Sequence, residues 1–444
     1  MKKSLLLFTA LCFSLFLYSQ PNSNSSPNFS NEGREWFVCQ TNGSGQMGTK
    51  ERPARDLGNI IHHLKPNDII YISEGTYMSR GASGSDEINV PVRIFGGYNI
   101  DFTHRDPWDQ HKTIFTGTNE YKKSTDPRLY IRTDQQREAN GQPSTGATII
   151  VDGIIFDNGP RNRYHQDKQL AIRRQGNPAS NQNPAPNSGG LVIVGSRFTN
   201  VMVKNCVVMN TAPSEGALSV RIFQGAQAII QNNLCINNTG YGIHARTGYT
   251  GSNPDLVPRF TIANNTSLFN WKHDPVASYG GYALALDQYL TARIEGNVLG
   301  FGDQGGLLSA GAQIVLNNNL FTGNRDVDYE ERGAKMSVDY ILDEAMYVDH
   351  FSDGNESTFI KIPIAERWAN IYASRVEISR AEVDASVSVS NSWSNQVRSM
   401  FGLNLQGSTA TIDADIFLPL LLIDEALVVG FYPWNDKGSQ IPRF

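Results

Sequence analysis

Short apolar runs of three to six residues recur through the middle of the chain, each ended by Asn or Gly, and none approaches the ten or more residues of an amphipathic helix. They predict strands. Six segments share one pattern: "DGIIFDN" (152–158), "KNCVVMN" (204–210), "NNLCINN" (232–238), "NNTSLFN" (264–270), "GNVLGFG" (296–302) and "NNLFTGN" (318–324). Aligned on Gly153, Asn205, Asn233, Asn265, Asn297 and Asn319, five of the six carry Asn five residues later, with Gly302 as the exception. From Asn205 onward the spacings are 28, 32, 32 and 22 residues, one solenoid turn each. A β-branched run such as "VMV" (201–203) or "FTI" (260–262) precedes each segment. A Gly-led strand such as "GALSVRIF" (216–223), "GYGIHAR" (240–246) or "GGYALALD" (280–287) follows. Three short strands per turn, with Asn and Gly at corners where they tolerate left-handed backbone, predict an all-β parallel solenoid in which Asn amides stack from turn to turn.

These rungs resemble the right-handed parallel β-helix, pectin-lyase-like superfamily. "ARDLGNIIHHLKPNDIIYISEGTYMSRG" (54–81) is similar to that family's opening, an amphipathic capping helix and then a first strand, with Pro66, Asp68, Gly75, Thr76 and Tyr77 in place and Asn67 where Gly is usual. "VRIFGGYNIDFTHRDPWDQHKTIFTG" (92–117) resembles the second rung of secreted members. The resemblance spans residues 36–329. It implies a right-handed parallel β-helix with an N-terminal capping helix, and it specifies no activity. Rung length extrapolates to eight or nine turns, and a C-terminal mixed capping module is expected because a solenoid's last open turn needs a cap.

The ends and one insertion depart from the repeat. Residues 1–20, with Lys2 and Lys3 before an apolar run from Leu5 to Tyr18, predict a secretory signal peptide, the run being shorter than a membrane span. Residues 21–35 predict a polar tether. Residues 160–189 predict a long loop. Residues 330–444 lose the Asn pattern and gain helical spacing in "IPIAERWANIYASR" (362–375), while "DIFLPLLLIDEALVVGFYP" (415–433) is strongly apolar but broken by Pro419, Asp424 and Glu425. This segment is expected to pack on the solenoid, and the region to cap its last turn or attach the protein elsewhere. No transmembrane segment is expected once the signal is cleaved, and the expected place is outside the cell or on its surface, with the periplasm as the other compartment it allows.

A net charge of −5 with 18% charged residues argues against nucleic acid as a partner. Cys39, Cys206 and Cys235 remain after signal cleavage, an odd count that predicts buried thiols. Counted from Asn205 and Asn233, Cys206 and Cys235 fall at opposite parity, so they are expected on opposite faces and unpaired.

The Gly-led strands hold the candidate chemistry. In register they place Leu218, Ile243 and Leu284 inward, and they stack Ser219, His244 and Ala285 in one outward column and Arg221, Arg246 and Asp287 in the next, about 4.8 Å per rung. Two guanidiniums suit a carboxylate or sulfate, His244 can transfer a proton near neutral pH, and Asp287 can orient it. Glu215, His273, Asp274, Tyr279 and Asp303 in the flanking loops are candidate substrate contacts. Acidic polysaccharides lie along such stacked surfaces in the resembled family. Its lyases eliminate across the glycosidic bond after a base removes the proton beside the uronate carboxyl, with Arg neutralising the developing charge. The expectation is thus a monomeric protein that recognises an extracellular acidic polysaccharide or cell-surface glycan. If it is an enzyme, a lyase is favoured over a hydrolase, since two flanking carboxyls are wanting. The competing expectations are a non-catalytic adhesive or structural β-helix, and a salt-bridged column that only keeps the sheet soluble. No phosphate-binding, dinucleotide, zinc or Ser-His-Asp motif occurs, which leaves the cofactor unknown and calcium open.

Overall fold

The computed structural model describes residues 33–45, 47–79, 85–117, 127–135, 146–158, 189–211, 213, 216–271, 280–336, 352–353, 355–358, 397–398, 401–403 and 437–442. The expected signal peptide, loop 160–188, most of 330–444, and Glu215, His273, Asp274 and Tyr279 lie outside the described residues.

Every turn gives one strand to each of three parallel sheets, so strands adjacent in space are one turn apart in sequence. Turn 5 shows the plan, with Gln227–Gln231 in the first sheet, Leu234–Thr239 in the second and Tyr241–Thr247 in the third. The third sheet holds nine strands, one of them the antiparallel return Ala334–Lys335, which leaves eight complete turns among the described residues, from Ile69–Ser73 in turn 1 to Val327–Glu331 in turn 8. Glu35–Val38 pairs onto turn 1, and Ser352–Asp353 and Glu356–Thr358 begin a ninth turn. The architecture is a parallel β-helix, right-handed as parallel crossovers are.

The first sheet alternates as a half-buried strand should: in Gln227–Gln231 the ends are exposed while Ala228 and Ile230 are buried. Its inward residues meet those of the third sheet, such as Leu218, Ile243 and Leu284, in one continuous core. From turn 3 onward the second sheet does not alternate. Val207–Met209, Val298–Gly300 and Leu320–Thr322 are buried at every position.

Four expectations change. The opening segment forms two consecutive 3-10 turns, Leu57–Asn59 and Ile61–His63, and not a single capping helix; Asp56 caps the first through the Gly58 N–H, and Leu57, Ile60 and Leu64 still bury themselves against the first turns. The repeat alignment slips by one residue in its first two rows: Lys204 pairs with Gln231 and Val207 with Leu234, so Asn205 is equivalent to Asn232, and Cys206 to Asn233. Cys206 and Cys235 therefore have the same parity and both join the interior core, as thiols raised by burial, Cys206 to about 12. Finally, the described part of the C-terminal region does two things: Ala334–Lys335, Ser352–Asp353 and Glu356–Thr358 extend the end of the stack, while 397–398, 401–403 and 437–442 lie along its side. Arg398 pairs with Asp157 in turn 3, while Gly438, Ser439 and Gln440 bond to turns 7, 6 and 5.

The asparagine ladder itself is present, one position over from where the first rows put it. Asn233, Asn265, Asn297 and Asn319 each accept, at Oδ1, the backbone N–H of the preceding turn's equivalent residue, starting with Cys206 and passing on to Asn355. Each also donates Nδ2 to the next amide and to a first-sheet carbonyl, as Asn265 does to Asn297 Oδ1 and Ile230 O. All four are fully buried, so the corner's polar groups are satisfied without water. At the next corner the same kind of bond is made at two separate places, Thr211 N–H donating to Asn238 Oδ1 and Gly302 N–H to Asn324 Oδ1.

Candidate functional site

The third sheet carries the candidate residues, and its register matches the one read from the sequence. Ser219 pairs with His244 and His244 with Ala285; Arg221 pairs with Arg246. Asp287 follows Tyr282–Leu286, and its N–H donates to Ala245 O, which sets it beside Arg246. Each strand begins with two inward residues in succession, Ala217 with Leu218 and Ala283 with Leu284, both in the core. In turn 5 the first of these must be glycine, because a Cβ on Gly242 would lie 2.1 Å from Ser267 Oγ. The doubled inward step leaves Tyr241 and His244 on the same outer side, and their rings meet edge to face at 4.8 Å.

His244 donates from Nε2 to Asp287 Oδ1 at 3.1 Å, and Arg246 Nε lies 3.8 Å from Asp287 Oδ2, which also accepts the Thr247 N–H at 3.3 Å. Burial pushes the Asp287 carboxyl up, but the His244 hydrogen bond, the charges of His244 and Arg246 and the Thr247 N–H outweigh it and hold the group below its ordinary value. His244 is only 8% exposed, and its Nδ1 is buried without a hydrogen-bond partner. Next in the column, Arg221 is half-buried with its guanidinium 5.5 Å from the Phe223 ring, and its buried Nε–H has no acceptor. Two strands earlier, Tyr130 lies in the His244 column and Arg132, paired with Asp134 at 3.0 Å, in the Arg221 column. The face is thus a strip of guanidiniums and aromatic rings in which Asp134 answers Arg132 and Asp287 answers Arg246.

Among the other candidates, Ser219 stands in the His244 column but is buried, at 2% exposure. Asp303 is fully buried at the corner leading into Gly305–Ser309, where its carboxylate faces Arg325 at 3.4 Å and its N–H donates to Asn270 O. Asp303 thus serves the corner's own geometry, whereas Ser219 sits mid-strand beside His244. The aromatic members, Tyr130, Phe223 and Tyr241, were missed from sequence; Tyr130 and Tyr241 were legible as outward positions once the strand register was drawn. In "RDP" (105–107), Arg105 bonds Asp152 at 2.7 Å through Nη2 and Gly96 O through Nε. No group of three or more His, Cys, Asp or Glu placed to hold a metal occurs among the described residues.

The fold and face define a parallel β-helix with a cationic, aromatic outer strip. No protein-family model matches the chain, and no curated protein does. Among solved structures it is similar to the A-module of the Azotobacter vinelandii mannuronan C-5 epimerase AlgE4, at 11% identity over 66% of this chain and 80% of that chain, with a TM-score of 0.31. That likeness is too slight to build on, and the β-helix stands on its own strand register.

Proposed function

We propose that the protein works outside the cell and recognises an acidic polysaccharide along the outer strip of its third sheet. The observation that carries this reading is Arg221: a buried Nε–H without an acceptor, one rung from the Arg246–Asp287 pair. A buried donor left unpaired costs about 1–3 kcal/mol, and a carboxylate or sulfate ester would supply what it lacks with the added strength of a charged pair. The neighbouring faces of Tyr130, Phe223 and Tyr241 suit the apolar side of a sugar ring.

Elimination by His244 is the finer expectation, and the geometry favours binding over it. A base must reach the proton it abstracts, but His244 has given Nε2 to Asp287, its Nδ1 is buried, and its ring packs against Tyr241. His244 and Asp287 then act as the support that fixes Arg246. Purified protein titrated with a panel of uronate and sulfated glycans should bind at least one member. Arg221→Ala should weaken that binding about tenfold or more, as for loss of a charge-assisted hydrogen bond of roughly 1.5–3 kcal/mol, without appearance of the ultraviolet absorbance of unsaturated ends. Absorbance that grows in wild type and vanishes in His244→Ala would establish the lyase instead. Silence across the panel would sink both and leave the adhesive or structural role.

A further inference from the structure

The outer face of the second sheet is unlike the other two. On the first sheet the outward positions Met202, Ile229 and Thr261 are half-buried and Arg293 and Val315 exposed. On the second, Val207, Met209, Leu234, Ile236, Leu268 and Val298 point away from the interior, stand outside the interior core, and are each 0% exposed. Fully burying such side chains is worth about 1.5–3 kcal/mol apiece, so six left bare would cost on the order of 10 kcal/mol, as much as the net stability of a whole domain. Something in the chain covers this face.

Two anchors say what. At one end Arg398, 0% exposed, donates Nε to Asp157 Oδ2 at 2.7 Å and Nη2 to Oδ1 at 3.2 Å, on the second-sheet strand of turn 3. At the other end three consecutive residues stitch three consecutive turns. Gly438 N donates to Gly296 O at 2.6 Å, Ser439 N to Thr266 Oγ1 at 2.9 Å, and Gln440 N to Asn232 Oδ1 at 2.6 Å, while Asn232 Nδ2 returns a bond to Gln440 O at 2.8 Å. Gly438 sits at φ +88, and a Cβ there would lie 2.7 Å from Thr266 Oγ1 and 2.8 Å from Val298 Cγ2, so the stitch requires glycine. Between the anchors runs a stretch containing "DIFLPLLLIDEALVVGFYP". The anchors are four turns apart, about 19 Å at ~4.8 Å per turn, a short distance for the 33 residues 404–436.

We propose that the outer face of the second sheet is the docking surface for the chain's own segment 404–436, fastened by Arg398 at one end and by Gly438–Gln440 at the other. The apolar run then belongs to the protein's own fold, and neither a membrane nor a second copy is its partner. The test uses the full chain and two variants, Gly438→Val and a chain ending at residue 436. In both, binding of an environment-sensitive hydrophobic dye should rise several-fold and protease should cut within 404–436, while circular dichroism keeps the β-helix signal. Wild type nicked within 404–436 should elute as one species, since both halves stay anchored; this readout needs no variant. Separation of the nicked halves, dye binding by wild type equal to that of the variants, wild-type dimers that form with concentration, or wild type floating with phosphatidylcholine vesicles would each overturn the proposal.

Discussion

Asn232 and Asn233 are neighbours with different physical tasks. Asn232 takes the left-handed backbone, φ +53, which an Asn side chain tolerates better than most, and its amide stays near the surface to bond Asn205 and Gln440. Asn233 turns inward and joins the buried ladder. Where the pair is incomplete each task shows alone: Asn205 and Gly153 have the left-handed conformation, with Cys206 and Ile154 in the ladder position, and Gly296 supplies it ahead of Asn297. This explains why the ladder was legible in the sequence and its phase was not, because an Asn at a corner fits either position and spacing cannot tell them apart. Ladder members are expected to be costly to lose. Asn265→Ala strips the acceptor from Asn233 N–H and the donor from Ile230 O, and at about 1–3 kcal/mol per orphaned group it should cost roughly 2–6 kcal/mol, read as a fall in urea midpoint at constant slope. Cys206→Asn is the reciprocal case. Its amide would find Val151 O, which the thiol already approaches at 3.8 Å, and Asn233 Oδ1; its midpoint should stay level or rise, where Cys206→Leu should lower it.

At the scale of the strand, burial pattern separates the three sheets, and the sequence carried more of it than alternation alone reveals. First-sheet strands such as "QAIIQ" (227–231) alternate, and third-sheet strands alternate after their doubled inward start, which is why the outward column of Arg221, Arg246 and Asp287 could be placed beforehand. Second-sheet strands read "VVM", "VLG" and "LFT", continuous apolar runs of the kind that mark a strand buried on both faces. That signal announces a covering layer, although the sequence cannot say which part of the chain supplies it. The burial of His244 was equally hidden, since it depends on the Tyr241 ring brought alongside by two inward residues in a row. The strand end at Asp287 gives a testable pH dependence. Its folded value lies below its unfolded one, so its contribution is complete above the ordinary carboxylate value and is lost as pH falls through the lower, folded one. Asp287→Asn should therefore melt below wild type at pH 7, and the two melting temperatures should converge as the pH is lowered toward 3. A constant gap across that range would show that the His244–Asp287–Arg246 contacts contribute nothing through charge.

On the whole molecule, a solenoid is ordinarily a stack in which each turn is held by its two neighbours, so that stability propagates one step at a time. Here two strips tie together turns that are not adjacent, both along the corner between the first and second sheets. The excursion of turn 2 reaches forward, Arg105 to Asp152 in turn 3 and Trp108 Nε1 to Asn205 O in turn 4 at 2.7 Å. The chain's last residues reach back, from Gly296 in turn 7 through Thr266 to Asn232 in turn 5. The two strips take turns 3–4 and 5–7 between them without overlap, so each should govern the opening of its own part of the stack. Hydrogen exchange followed by mass spectrometry can read this directly, since protected amides report the free energy of the opening that exposes them. In the chain ending at residue 436, amides around 232–239, 264–271 and 296–300 should lose protection while those of the first-sheet strands 148–152 and 200–204 keep theirs. With Trp108→Ala the loss should fall on the second group and spare the first. If either change lowers protection evenly over all eight turns, the β-helix unfolds as a single unit and the strips only add to its total stability. If neither changes protection at all, the corner is held by its asparagines alone.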